Sequence, residues 1–219
     1  MRVVPFALLA AALAAAAPPP APAQEPRLVG RLPDAMRERV DEIVDAARAG
    51  GLPTEPLVDR ALEGAAKGAA PALIVAAVAR LREELQGARD AFGEAASPAE
   101  LTAGASALRA GATVDHLARL RRLRPGQPLT VAAAVMADLV AAGVPVDTAV
   151  TAVMALATDA RDADYVAFRR NVQRDIALGA SPAAALGVRL RAAGALADEG
   201  LTAAPGQGQA PGRPQKRKP

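Results

Sequence analysis

The strongest constraint on this chain is a helical rhythm of apolar residues that recurs from residue 34 to residue 199, with no strand-like alternation anywhere between. Met36, Val40, Ile43, Val44 and Ala47 fall at i, i+4, i+7, i+8 and i+11, which is one face of a helix with about 3.6 residues per turn. Ile74, Val78, Leu81 and Leu85 repeat the pattern. So do Val131, Val135 and Leu139, then Val146, Val150, Val153 and Ala157. Tyr165, Phe168, Val172 and Ile176 form another stripe, and Leu186, Leu190 and Ala193 the last. Alanine, the strongest intrinsic helix former, supplies about 59 of the 219 residues and reinforces each stripe.

Turn residues divide these stripes into short elements. Ser97-Pro98-Ala99-Glu100 is a capping box with Pro at the first helical position, and Ser181-Pro182 repeats the start signal. Pro71 and Pro145 stand where first turns begin. Gly50, Gly68, Gly111, Gly143, Gly179 and Gly200 each follow an alanine-rich run, where a left-handed cap favours glycine. The expected fold is all-α, with about nine short helices over 34–49, 54–67, 71–92, 98–110, 113–123, 128–142, 145–158, 162–178 and 182–199. Helical hairpins of about 35 residues fit the glycine spacing, so the helices form either a compact bundle or an α-solenoid-like array.

The ends of the chain are different material. Arg2 followed by fifteen uncharged residues, three prolines and Ala21-Pro22-Ala23 reads as a secretory signal peptide over 1–23, cleaved after Ala23. The uncharged run falls short of the roughly 20 residues that span a bilayer. Usage of Ala, Arg and Pro over Lys suggests a GC-rich bacterial genome, so the expected location is periplasmic or secreted. Residues 24–33 read as a linker to a helical domain at 34–200. Residues 201–219, rich in Pro, Gly and Gln, read as a disordered basic tail. No later charge-free stretch is long enough for a membrane span, so the mature chain is expected to be soluble with no transmembrane segment.

Charge follows the same division. The chain carries 26 Lys and Arg against 23 Asp and Glu. Every acid lies between residues 24 and 200, whereas Arg2, Arg213, Lys216, Arg217 and Lys218 lie outside that span, so the net charge of +3 becomes −2 for it. A basic nucleic-acid-binding face is therefore not expected, and the near absence of aromatics argues the same way. Inside the domain one cationic cluster stands out: Arg119, Arg121, Arg122 and Arg124. At about 100° per residue these four scatter around a helix, and cations also suit a helix C-terminus. Together with the tail cations Arg213, Lys216, Arg217 and Lys218, they are the candidate contacts for anionic lipid or another polyanion.

Most chemistries lack their residues. With no Cys there is no disulfide, thiolate metal site or thiol nucleophile, and one His excludes a poly-His metal centre within the chain. His116 has no evident nucleophile, since Ser106 lies in an ordinary Ala-Ser-Ala setting. Asp159, Asp162 and Asp164 fail the calcium-loop pattern, because positions six and twelve would be Asp164 and Arg170; they read as helix N-terminal acids. Neither phosphate-binding glycine motif is present. No catalytic, cofactor or metal residue is assigned. The expected function is a non-enzymatic interaction or scaffold module of the bacterial envelope, working through helical surfaces on an unidentified protein partner. The alternative is electrostatic binding of anionic envelope components.

Overall fold

The computed structural model describes residues 25–202, and side chains as far as Gly194. The expected signal peptide, and all of the basic tail beyond Thr202, lie outside the described residues. Within them are nine α-helices and no strand: α1 (Asp34–Ala49), α2 (Glu55–Ala66), α3 (Pro71–Phe92), α4 (Pro98–Arg109), α5 (Val114–Leu123), α6 (Thr130–Ala141), α7 (Val146–Leu156), α8 (Asp162–Ala177) and α9 (Pro182–Thr202). The residues read as a linker are part of the fold. Pro26–Leu28 forms a 3-10 turn, and Leu28 and Leu32 are buried.

One glycine cap joins five of the helix pairs. After α1, the Gly51 N–H donates to the Arg48 carbonyl and the Leu52 N–H to the Ala47 carbonyl, the two bonds of a Schellman motif. The left-handed residue is Gly51 at φ 68°, one position later than expected, and Gly50 is ordinary at φ −81°. Gly68, Gly111, Gly143 and Gly179 make the equivalent pair of bonds. Each is followed by a small or apolar residue (Ala69, Ala112, Val144, Ala180) that turns back toward the core. Gly200 does not end its helix, since α9 continues to Thr202.

Extensive helix contacts join only elements that are adjacent or next-but-one in the chain. α3 packs on α1, α2, α4 and α5; α4 on α6; α6 on α7 and α8; α8 on α9. Such packing gives an all-helical bundle whose main contacts lie between near neighbours in the chain. A single core nonetheless runs from Leu28 to Leu186. Leu57, Leu85, Leu101, Leu117, Leu139 and Tyr165 are fully buried, and so are Ala88, Ala105, Ala132 and Ala152. Buried alanines contribute little area, but they let helix backbones approach closely. Gly104 marks the tightest approach: a Cβ built there would lie 2.8 Å from both Ala88 Cβ and Phe92 Cε2 of α3. Ile176, on the same apolar stripe as Tyr165, Phe168 and Val172, is only partly buried. It sits in the last turn of α8, beside Leu178, which is 80% exposed.

Candidate functional site

The cationic cluster on and after α5 is where the sequence placed its sharpest expectation, and the structure divides it. α5 starts with a reciprocal cap: Thr113 Oγ1 accepts the His116 N–H at 3.2 Å, and the Thr113 N–H donates to His116 Nδ1 at 3.3 Å. The only imidazole therefore serves the helix start, in the place usually taken by Glu or Gln. Because Nδ1 accepts a hydrogen bond, Nε2 carries the ring proton.

Arg119 and Arg122 are exposed and, among the described residues, form no ion pair. Arg121 donates to Glu100 Oε1 at 2.7 Å and to the Gln127 carbonyl at 2.9 Å, with its guanidinium 5.7 Å from the Phe92 ring centroid. Arg124 is 2% exposed. It donates to the Ala160 carbonyl at 2.6 Å and to Asp162 Oδ1 at 3.3 Å, and it stacks 5.2 Å over the Tyr165 ring. The expectation of one four-arginine anion patch is thus corrected: helical scatter sends two of these side chains inward, where the planar guanidinium finds carbonyl, carboxylate and ring partners together. Arg213, Lys216, Arg217 and Lys218 lie outside the described residues.

Glu100 is the centre of the inward group. It is 8% exposed, and both oxygens are used. Oε1 accepts from Arg121 and from the Leu129 N–H at 3.0 Å; Oε2 accepts from the Ser97 N–H and Oγ at 2.9 Å each. Burial pushes this carboxyl up, but the Ser97, Leu129 and Arg121 donors together outweigh it and hold the group below its ordinary value. Tyr165 is shifted the other way: burial raises its phenol, and nearby Arg124 only partly opposes this. Its hydroxyl donates to the Val153 carbonyl at 3.2 Å, tying α8 to α7.

The same device recurs along the bundle. Arg109 of α4 pairs with Glu84 of α3 at 2.8 Å, Arg169 of α8 with Asp138 of α6, and Arg189 of α9 with both oxygens of Asp175 on α8 at 2.7 Å. The Arg189 guanidinium holds the Asp175 carboxyl below its ordinary value. The acids read as helix-starting residues behave so in part: Asp164 accepts the Arg161 N–H at 2.8 Å, whereas Asp162 meets Arg124.

Several open depressions lie between helices, and three of them bear on function. The first, about 530 Å³, runs across α4 and α6 beside the start of α2, with Pro56, Pro98, Ala99, Ala103, Ala134 and Ala137 on its walls. The second, about 380 Å³, lies between α5 and α7 and holds His116, Arg119, Asp147 and Met154. The third, about 560 Å³, is bounded by α7, the start of α8 and α9, with Asp159 and Asp164 at its rim. Ser106 opens on the first and His116 on the second, so they do not form a hydrolytic pair; the Ser106 hydroxyl donates instead to the Thr102 carbonyl at 3.0 Å. Among the described residues no group of three or more His, Asp or Glu could hold a metal ion, and no helix is long and apolar enough to cross a membrane. The partners of the inward arginines, Glu100 and Tyr165 above all, were not legible as such. The capping box marks Glu100 as a helix-start residue, but a bond spanning 21 residues leaves no local signal.

These features define an all-helical bundle clamped by arginine–carboxylate pairs. Comparison with family models, with curated proteins and with solved structures yields no match.

Proposed function

We propose that this chain is an exported, non-enzymatic interaction module of the bacterial envelope that binds a helix of a protein partner in the groove across α4 and α6. The observation that supports this most is the make-up of that groove. Its walls include small residues (Ala99, Ala103, Ala134, Ala137), so an incoming helix can approach closely, and Glu55 and Asp138 are its two acids. Both of those acids are already paired, with Arg27 and Arg169, which leaves the groove itself without an unpaired charge. A helix with a face of small apolar residues is the occupant that fits.

The absence of cysteine allows a clean test. A single Ala134→Cys chain, expressed with its own N-terminus, is crosslinked in intact cells with a short bifunctional reagent and compared with a Leu178→Cys chain. The expected result is a discrete partner adduct from the groove position and none from Leu178. Adducts from both positions, or from neither, contradict the reading.

A second reading is favoured by Arg119 and Arg122, which are exposed with no acidic partner among the described residues. They and the tail cations would bind an anionic lipid surface, with affinity that falls steeply as salt rises. Co-sedimentation with phosphatidylglycerol vesicles that is insensitive to salt, or to removal of residues 205–219, argues against it.

A further inference from the structure

The groove between α5 and α7, about 380 Å³, holds opposite charges that do not meet. In the groove across α4 and α6 both acids are paired with arginines. Here Arg119 and Asp147 are exposed and line the same depression, yet among the described residues neither side chain has an ion-pair or hydrogen-bond partner. The two helices start side by side: a Cβ built on Gly111, just before α5, would lie 3.1 Å from Val146 Cγ2 at the start of α7. His116 and Asp147 therefore belong to first turns at one end of the groove, and Leu123 and Met154 to last turns at the other. Arg119 and Thr151 lie about one turn on from His116 and Asp147. Val150 and Met154 are buried and give the groove an apolar floor.

Donors and acceptors are divided between the two walls. The polar groups of the α5 wall are donors. Arg119 offers its guanidinium, and the cap with Thr113 occupies His116 Nδ1, so the ring proton is on Nε2. The α7 wall offers acceptors: the Asp147 carboxylate and Thr151 Oγ1, whose own proton goes to the Asp147 carbonyl at 2.8 Å. A simple anion would meet the Asp147 carboxylate, and a simple cation would meet the Arg119 guanidinium. A molecule carrying both charges satisfies both walls. We propose that this groove binds a small zwitterion, an α-amino acid with an apolar side chain. Arg119 and His116 Nε2 hold its carboxylate, Asp147 and Thr151 accept from its ammonium, and its side chain lies on Leu123, Val150 and Met154. The volume suits such a ligand, since small-molecule sites run from about 300 to 1,000 Å³ and combine apolar lining with a few placed polar groups. The site shares no lining residue with the groove across α4 and α6, so it stands apart from the helix-binding reading.

The chain has four methionines, so Met154 becomes a local reporter once their methyl groups carry carbon-13. L-leucine is titrated into the full chain and followed by methyl NMR. Isocaproate, which lacks the ammonium, and isoamylamine, which lacks the carboxylate, are titrated in parallel. The expected result is a saturable Met154 shift with L-leucine that leaves Met36 and Met136 in place, with both truncated molecules bound about tenfold more weakly. Asp147→Asn is expected to weaken L-leucine binding about tenfold while binding isocaproate no more weakly than the native chain. Arg119→Gln is expected to weaken L-leucine to a similar degree and to leave isoamylamine no weaker. Both side chains are exposed, so both variants should melt with the native chain. Arg122→Gln, outside the groove lining, should bind L-leucine as the native chain does. The proposal is overturned by the lack of a saturable Met154 shift, by equal binding of the three molecules, or by an Arg122→Gln loss that matches Arg119→Gln.

Discussion

Arg124 and Glu100 show how single charged side chains are accommodated inside this fold. Both are charged, both are buried, and both are surrounded by partners from other parts of the chain. Glu100 makes four polar contacts, so replacing it with Gln leaves Arg121 without its carboxylate and turns one acceptor into a donor. Glu100→Gln is expected to cost about 2–3 kcal/mol at neutral pH, measured by urea denaturation. The pH dependence follows from the direction of its shift. The folded carboxyl is held below its ordinary value, so its stabilisation is fully present above the unfolded value, near pH 4.3, and is lost as pH falls through the lower folded value. The native chain should therefore lose stability on acidification below about pH 5 more steeply than Glu100→Gln does. Parallel acid limbs would mean that the carboxylate is not held in this way.

Helices were the most legible level of the structure, and the reason is physical. Most have a local start or stop signal or a periodic face, and all nine lie within three residues of their expected bounds. What periodicity does not encode is depth. It placed Leu81 and Ile176 alike on apolar faces, yet Leu81 is buried and Ile176 lies in a half-open last turn. Truncation to Ala should separate them in thermal melts, with about 2–4 kcal/mol lost at Leu81 and clearly less at Ile176. Close approach is hidden from the sequence too. In an exposed helix Gly→Ala stabilises by about 0.5–1 kcal/mol, but at Gly104 the added methyl meets Ala88 and Phe92. Gly104→Ala is expected to destabilise by about 1–3 kcal/mol. A more stable variant would show that α3 and α4 separate without cost. The 3-10 turn at Pro26–Leu28 escaped notice because three residues are too few for a period, although Leu28 and Leu32 carry its burial.

For the whole molecule, packing chiefly between near neighbours in the chain raises the question of what keeps an alanine-rich bundle in register. Small side chains give close approach with little area, and the larger Leu, Val and Met side chains between them fix rotation only through non-directional packing. Arginine supplies that constraint: Arg109, Arg121, Arg124 and Arg169 each reach from one element to a carboxylate on another. The arginines that suggested a polyanion surface in the sequence are thus partly a means of fixing the fold. Their charge was legible and their direction was not, because partners such as Asp162, 38 residues from Arg124, are near only after folding. The geometry of these guanidinium forks, rather than positive charge alone, sets the helices' register over the apolar core. Its most direct test is the thermal melt of a chain in which Arg109, Arg121, Arg124 and Arg169 are all replaced by Lys, so that net charge is unchanged. The melting temperature is expected to fall by about 6–12 °C, because an ammonium cannot reproduce the paired donors or the ring stacking. A melt that coincides with that of the native chain would contradict the claim.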